Sequence, residues 1–215
     1  MQAFLSTIEA TNVKECLGSL AILLTFIAFI PYIRSILQGR TKPHVFSWVI
    51  WSVATPILFV AQLADKGGAG AWSTGVSGVI TLYIAILAYV RKTEIVIKKI
   101  DWLFFILALS AIPFWYVTSN PLWAVILLTS IDTVGFFPTI RKAYFKPFEE
   151  PMLMYMIVVV RGCISIMALE HYSLTTLLFP VTITLVSVAL IGLVIWRRRS
   201  SPHDEACGLY SSFIE

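Results

Sequence analysis

The chain is 215 residues long, 58% hydrophobic and 13% charged, with a formal net charge of +4. An ordinary soluble domain carries roughly 25% charged residues, so a soluble fold is excluded, and apolar runs of about twenty residues suffice to cross a hydrocarbon core of roughly 30 Å as helices. The three histidines (His44, His171, His203) and three cysteines (Cys16, Cys163, Cys207) are scattered without ligand spacing, so no zinc, haem or disulfide framework is expected.

In chain order the hydropathy predicts an all-α membrane protein with seven transmembrane helices, at 17–37, 44–64, 72–90, 100–118, 122–143, 152–169 and 173–196. Residues 1–16 are expected as an N-terminal segment outside the membrane. The first apolar run is longer than a signal-peptide core and lacks a basic leader or small-residue cleavage site, so it is retained as a helix. Late in that helix stands Phe29-Ile30-Pro31-Tyr32-Ile33-Arg34, and late in the fifth stands Phe136-Phe137-Pro138-Thr139-Ile140-Arg141. The offset between Phe29 and Phe136 is 107 residues. A second proline, Pro43 or Pro151, opens the next apolar segment each time. The third and seventh helices end alike, at Tyr89-Val90-Arg91-Lys92 and Ile195-Trp196-Arg197-Arg198. Such an internal repeat divides the chain into a first three-helix unit (17–90), a linker with the fourth helix (91–120), a second three-helix unit (121–196) and a basic cytoplasmic tail (197–215). One linking helix restores the direction that three crossings invert, so the two units run parallel, related by an axis along the membrane normal.

Orientation follows from Lys and Arg. With the N-terminus outside and the C-terminus inside, the inner segments hold Arg34, Arg40, Lys42, Arg91, Lys92, Lys98, Lys99, Arg141, Lys142, Lys146, Arg197, Arg198 and Arg199, which is 13 of the 16 basic residues. This is the positive-inside pattern. It accounts for the net charge without a nucleic-acid partner, and the plasma (inner) membrane is the expected location.

A seven-helix 3+1+3 arrangement, with a proline in the first helix of each triplet and a basic loop after it, resembles the SWEET and PQ-loop superfamily over residues 17–196. In PQ-loop proteins glutamine follows the proline; here Tyr32 and Thr139 stand there. SWEET sugar carriers use an asparagine in the third and seventh helices, whereas this chain has only Asn12 and Asn120, both outside the expected helices. The resemblance implies a carrier for a small polar metabolite working by alternating access, or, as in one branch of the superfamily, a membrane receptor without a transport cycle.

Pro31 and Pro138 cannot donate to the carbonyls of Ile27 and Val134. Either both are hinges at matching depth, or they are packing kinks of the kind that Pro56, Pro113 and Pro180 represent. Asp132 and Arg161 each lie about ten residues into a helix, near mid-membrane, where a charge costs about 2.5–3.5 kcal/mol. They are expected to face each other or a polar cavity. Arg161 would then hold an anionic or carboxylate-bearing solute with Asp132 as its resting partner or proton carrier, or the two would form a structural ion pair. Thr25 aligns with Asp132, and Val53 or Ala54 with Arg161, so the repeats share a scaffold and not their polar chemistry. Trp72, Trp115 and Trp123 are expected at the outer interface, Trp102 and Trp196 at the inner. Trp48 and Trp51, one turn apart, form an inner gate, stack on a ring-bearing solute or serve as further interface anchors, and Tyr155 in the sixth helix roughly matches their position. Ala71, Gly75 and Gly78 are expected to permit close helix contact. The seventh helix has no lysine for a retinal Schiff base, and no nucleophile motif or phosphate loop is present. No enzyme activity and no cofactor are therefore expected; the partners are a small-molecule solute and the bilayer, and a homo-oligomer is left open.

Overall fold

The computed structural model describes residues 2–39, 43, 45–91, 99–145, 147–149 and 152–200, with side chains from Thr11 onward apart from 101, 138, 142 and 149. Arg40, Lys42, His44, Lys92, Lys98, Lys146, Pro151 and the tail from 201, with His203 and Cys207, lie outside the described residues. Among the described residues the chain is entirely helical. Its elements are α1 (Gln2–Leu37), α2 (Val45–Ala64), α3 (Trp72–Val90), α4 (Lys99–Thr118), α5 (Pro121–Gly135), α6 (Phe137–Phe145), α7 (Met152–Met167) and α8 (Leu174–Ser200). The α5–α6 pair is one broken segment, so the described residues form seven helical segments. Five of them are long and apolar enough to cross a bilayer: Thr11–Leu37, Val45–Ala64, Gly68–Val90, Pro121–Phe145 and Leu174–Ser200. Trp102–Thr118 and Met152–Met167 are apolar but shorter. At 1.5 Å per residue, α7 rises about 24 Å, less than the roughly 30 Å core.

Several boundaries differ from the sequence expectation. The helix expected at 17 begins at Gln2, so residues 2–16 continue α1 and Asn12 lies within it. No glycine or proline precedes Gly18 to stop that helix from extending. The sixth expected helix stops at Met167 and the seventh continues to Ser200. Asn120 caps α5: its side-chain oxygen accepts from the Leu122 backbone N–H at 2.9 Å, and Pro121 occupies the first helical position, where its missing N–H costs nothing.

The two prolines behave differently. α1 runs unbroken through Pro31, whereas the fifth segment breaks at Phe136, two residues before Pro138. There the Phe136 N–H bonds the Thr133 carbonyl at 3.1 Å, and a new helix opens with Ile140 N–H on the Phe136 carbonyl at 2.9 Å. The local sequences explain this. Gly135 stands three residues before Pro138, while Ala28 holds the corresponding place before Pro31. Glycine is about 1 kcal/mol poorer than alanine inside a helix, and it adds to the bond and the space that proline already removes.

Packing follows one order in both halves. α3 lies between α1 and α2, and α8 lies between α5 and α7. Across the halves, α1 packs on α7 and α2 packs on α5, with α4 against α2 and α5. Small side chains let these helices approach closely: Ala54, Leu58 and Ala61 of α2 meet Ala108 and Ala111 of α4 and Ala124, Val125 and Leu128 of α5 in one buried cluster. Gly75 and Gly78 of α3 face Phe59 and Pro56 of α2, where an added methyl would come within 2.9 and 3.1 Å.

Candidate functional site

Arg161 sits in α7 on the side turned toward α1 and α3. Its Nη1 donates to Ser77 Oγ of α3 at 2.9 Å and, at a longer 3.5 Å, to Thr25 Oγ1 of α1. Thr25 is wholly buried. Both hydroxyl hydrogens are already given to their own helices, Thr25 to the Ala21 carbonyl and Ser77 to the Ser73 carbonyl, each at 2.8 Å. The hydroxyl lone pairs are thereby left to accept from the guanidinium. Hydrogen bonds to a charged group are worth about 1.5–3 kcal/mol each. Beside Arg161 lies a small cavity of about 20 Å³, lined among others by Ser73, Thr74, Ser165 and Thr184. That volume admits about one water. Ser73 and Ser165 hydroxyls are 2.7 Å apart, and Thr184 donates to the Pro180 carbonyl at 2.7 Å.

Asp132 is buried in α5, and its carboxylate is held from α2 by the Trp51 side chain, whose only polar hydrogen is the indole N–H. Its Oδ1 has no hydrogen-bond partner, and neither has Thr129 Oγ1 one turn earlier on the same helix. Asp132 and Arg161 do not pair: the acid is bonded from α2, and the base is bonded to α1 and α3. The face-to-face arrangement expected from matching depth is therefore not adopted, because depth fixes height along a helix and not the direction in which a side chain leaves it. What the two sites share is their place in the packing. Thr25, the partner of Arg161, aligns with Asp132 at the 107-residue offset. One charge thus lies at the α1–α7 contact and the other at the α5–α2 contact.

Trp48 is buried and not an interface anchor. Its ring lies tilted against Tyr32 at 5.3 Å and meets Phe29 at 6.4 Å and Trp51 at 5.0 Å edge-on. The residue after Pro31 therefore enters an aromatic cluster joining α1 to α2. Tyr155 is buried against Ala143, Leu190 and Val194 in the second half and does not join this cluster. Trp72, Trp102, Trp123 and Trp196 are exposed and Trp115 is half-buried.

At the end of the bundle expected outside, the connection after α2 is clasped to the connection before α8. Glu170 N–H bonds the Gly67 carbonyl at 3.3 Å and Ala69 N–H bonds Glu170 Oε1 at 3.4 Å. Ser173 Oγ donates to Asp65 Oδ2, His171 Nδ1 lies 3.7 Å from that carboxylate, and Lys14 donates to the Leu169 carbonyl at 2.7 Å. Gly68, at φ +57°, has the Glu170 side chain in the place a Cβ would take.

Thr25, Asp132 and Trp51 thus line up with polar contacts between the halves, as does Arg161; Trp48 and Tyr155 are in separate packed clusters. Sequence reasoning missed Ser77, Ser73, Ser165, Thr184, Thr129 and the Asp65–His171 clasp. The available signal was spacing: Ser73, Ser77 and Thr81 share one face of α3, and Ser165 follows Arg161 by one turn. Comparison with family models, with curated proteins and with solved structures finds no match to this chain.

Proposed function

We propose that the chain is a carrier that moves a small polar solute by alternating access between two parallel three-helix units, in the manner of SWEET-like proteins. The unit boundaries are 17–90 and 121–196, joined by the linker helix, with seven crossings, the N-terminus outside and the C-terminus inside. The observation that carries this reading is the matched packing: the third helix of each triplet lies between the other two, and each triplet's first helix meets the second helix of the other. An arrangement of that kind is what a two-fold axis along the membrane normal produces, and carriers with parallel repeats use it.

Three further features support the reading. The polar side chains that cross between the halves sit on α1, α3, α7, α2 and α5, that is, on the helices that would move past one another. The clasp of Asp65, Glu170, His171 and Ser173 closes one end, as a carrier requires in one of its states. Pro138, with Gly135, gives the fifth segment a break at which its inner part can swing; the unbroken α1 makes Pro31 the stiffer partner. No catalytic step is part of the proposal.

The test is uptake into proteoliposomes holding purified protein, against a panel of labelled sugars, amino acids, vitamins and carboxylates. Saturable uptake abolished by tying residues 65 and 173 together with a disulfide supports a carrier. Absence of uptake for the panel, with ligand binding accessible from one side only, favours the receptor reading instead.

A further inference from the structure

We infer that Arg161 is the docking point for a carboxylate group. A guanidinium has five N–H donors in a rigid plane. Nη1 spends its two on Thr25 and Ser77. The remaining edge, made of Nε and Nη2, meets no protein acceptor, and Nε is buried without any hydrogen bond. That edge presents two parallel donors, the fork that a planar carboxylate satisfies with both its oxygens. Asp132 does not fill it, since its own partner is Trp51. No other acid does so among the described residues, where the hydrogen bonds of Arg161 run only to hydroxyls.

An unneutralised cation in a membrane-spanning helix is costly, and a bound anion removes the cost. Small size is dictated by the surroundings. The cavity of about 20 Å³ beside Arg161 is bordered by Ser73, Thr74, Ser165 and Thr184; in this conformation it has room for about one water, so the smallest carboxylates are the ones it takes with least widening. The Ser73–Ser165 pair can share only one hydrogen between the two oxygens, which leaves one hydroxyl hydrogen for a ligand. Gly162 keeps the space open: a methyl there would run into the Thr184 hydroxyl. The site deepens the carrier reading by naming the substrate class, and it rests on that reading for the carboxylate's being cargo, though not for its being bound.

The experiment is thermal unfolding of the purified full chain in detergent, titrated with sodium formate, sodium acetate and sodium chloride at constant ionic strength. A ligand that binds the native state raises the apparent melting temperature in a saturable way. Formate and acetate are expected to do so and chloride to do so at least about tenfold more weakly, because a sphere cannot engage both donors. Arg161→Lys keeps the charge and removes the fork, and should abolish the preference for formate over chloride. Gly162→Ala, which leaves Arg161 in place, should weaken formate binding by a similar factor; it serves should the arginine variant fail to fold. A formate response unchanged in both variants, no saturable formate response in the wild type, or chloride matching formate would each overturn the assignment. Proteoliposome flux separates the two readings: formate bound at Arg161 but not carried refutes the carrier, whereas transport of a neutral solute with no response to carboxylates refutes only the docking site.

Discussion

Gly135→Ala should mend the break in the fifth segment. The position is open: a methyl group there meets nothing within 4 Å. Its backbone is not left-handed, the positive-φ glycines among the described residues being Gly39 and Gly68. Alanine is therefore compatible with the native conformation and lowers the entropy of the unfolded chain, a gain of about 0.4–1 kcal/mol. Helix propensity points the same way, by about 1 kcal/mol. For a chain of this size, 1 kcal/mol moves the melting temperature by about 2–4 °C. The mirror change, Ala28→Gly before Pro31, should lower stability by about 1 kcal/mol and loosen α1 where it is now continuous. Hydrogen exchange measured across residues 133–140 and 26–33 reads the local effect directly. Slower exchange in the fifth segment for Gly135→Ala, faster exchange in α1 for Ala28→Gly, and a slower transport cycle for the former are expected. Unchanged exchange around Phe136 in Gly135→Ala would refute the explanation of the break, and slower exchange with unaltered turnover would refute its role as a hinge.

Other predictions concern the polar contacts. Pro31→Ala and Pro138→Ala should both leave expression intact, with the larger loss of transport rate in Pro138→Ala, since only that proline adjoins a broken helix; equal rates in wild type and both variants contradict this. Trp51→Phe removes the donor to a buried carboxylate and should cost about 1–3 kcal/mol, while Asp132→Asn in the Trp51→Phe background should restore part of it; a Trp51→Phe protein as stable as wild type would show the contact to be idle. Gly68→Ala places a side chain at φ +57° against Glu170 and should destabilise by at least about 1–2 kcal/mol, with the loops around Gly68 and Glu170 becoming accessible to proteolysis.

The plan of the molecule is legible in its sequence because hydropathy and the Phe-x-Pro-x-Ile-Arg phrase both act over long stretches. Helices α2, α3 and α4 begin and end within one residue of expectation. The extension of α1 back to Gln2 was hidden because hydropathy marks only the apolar run from 17 onward, although nothing in the polar first turns stops a helix. Asp132 and Arg161 stand out as charges in apolar runs, but their partners do not. Trp51, Ser77 and Thr25 are identified only once the direction of each side chain and the neighbour on that side are known. Trp48 shows the same limit: an amphipathic aromatic near a helix start suits a lipid interface equally well as the cluster with Tyr32 and Phe29 that it joins. The clasp at Asp65 and His171 joins connections 106 residues apart, which no local pattern reveals.

The most direct test of the central claim is a pair of spin-label distance measurements by pulsed electron resonance in lipid nanodiscs, one across Lys66 and Tyr172 and one across Arg34 and Phe145. Two populations are expected at each end, with the short distance at one end accompanied by the long distance at the other as solutes from the panel are added. A single, unchanging distance at both ends in every condition would contradict alternating access between two halves.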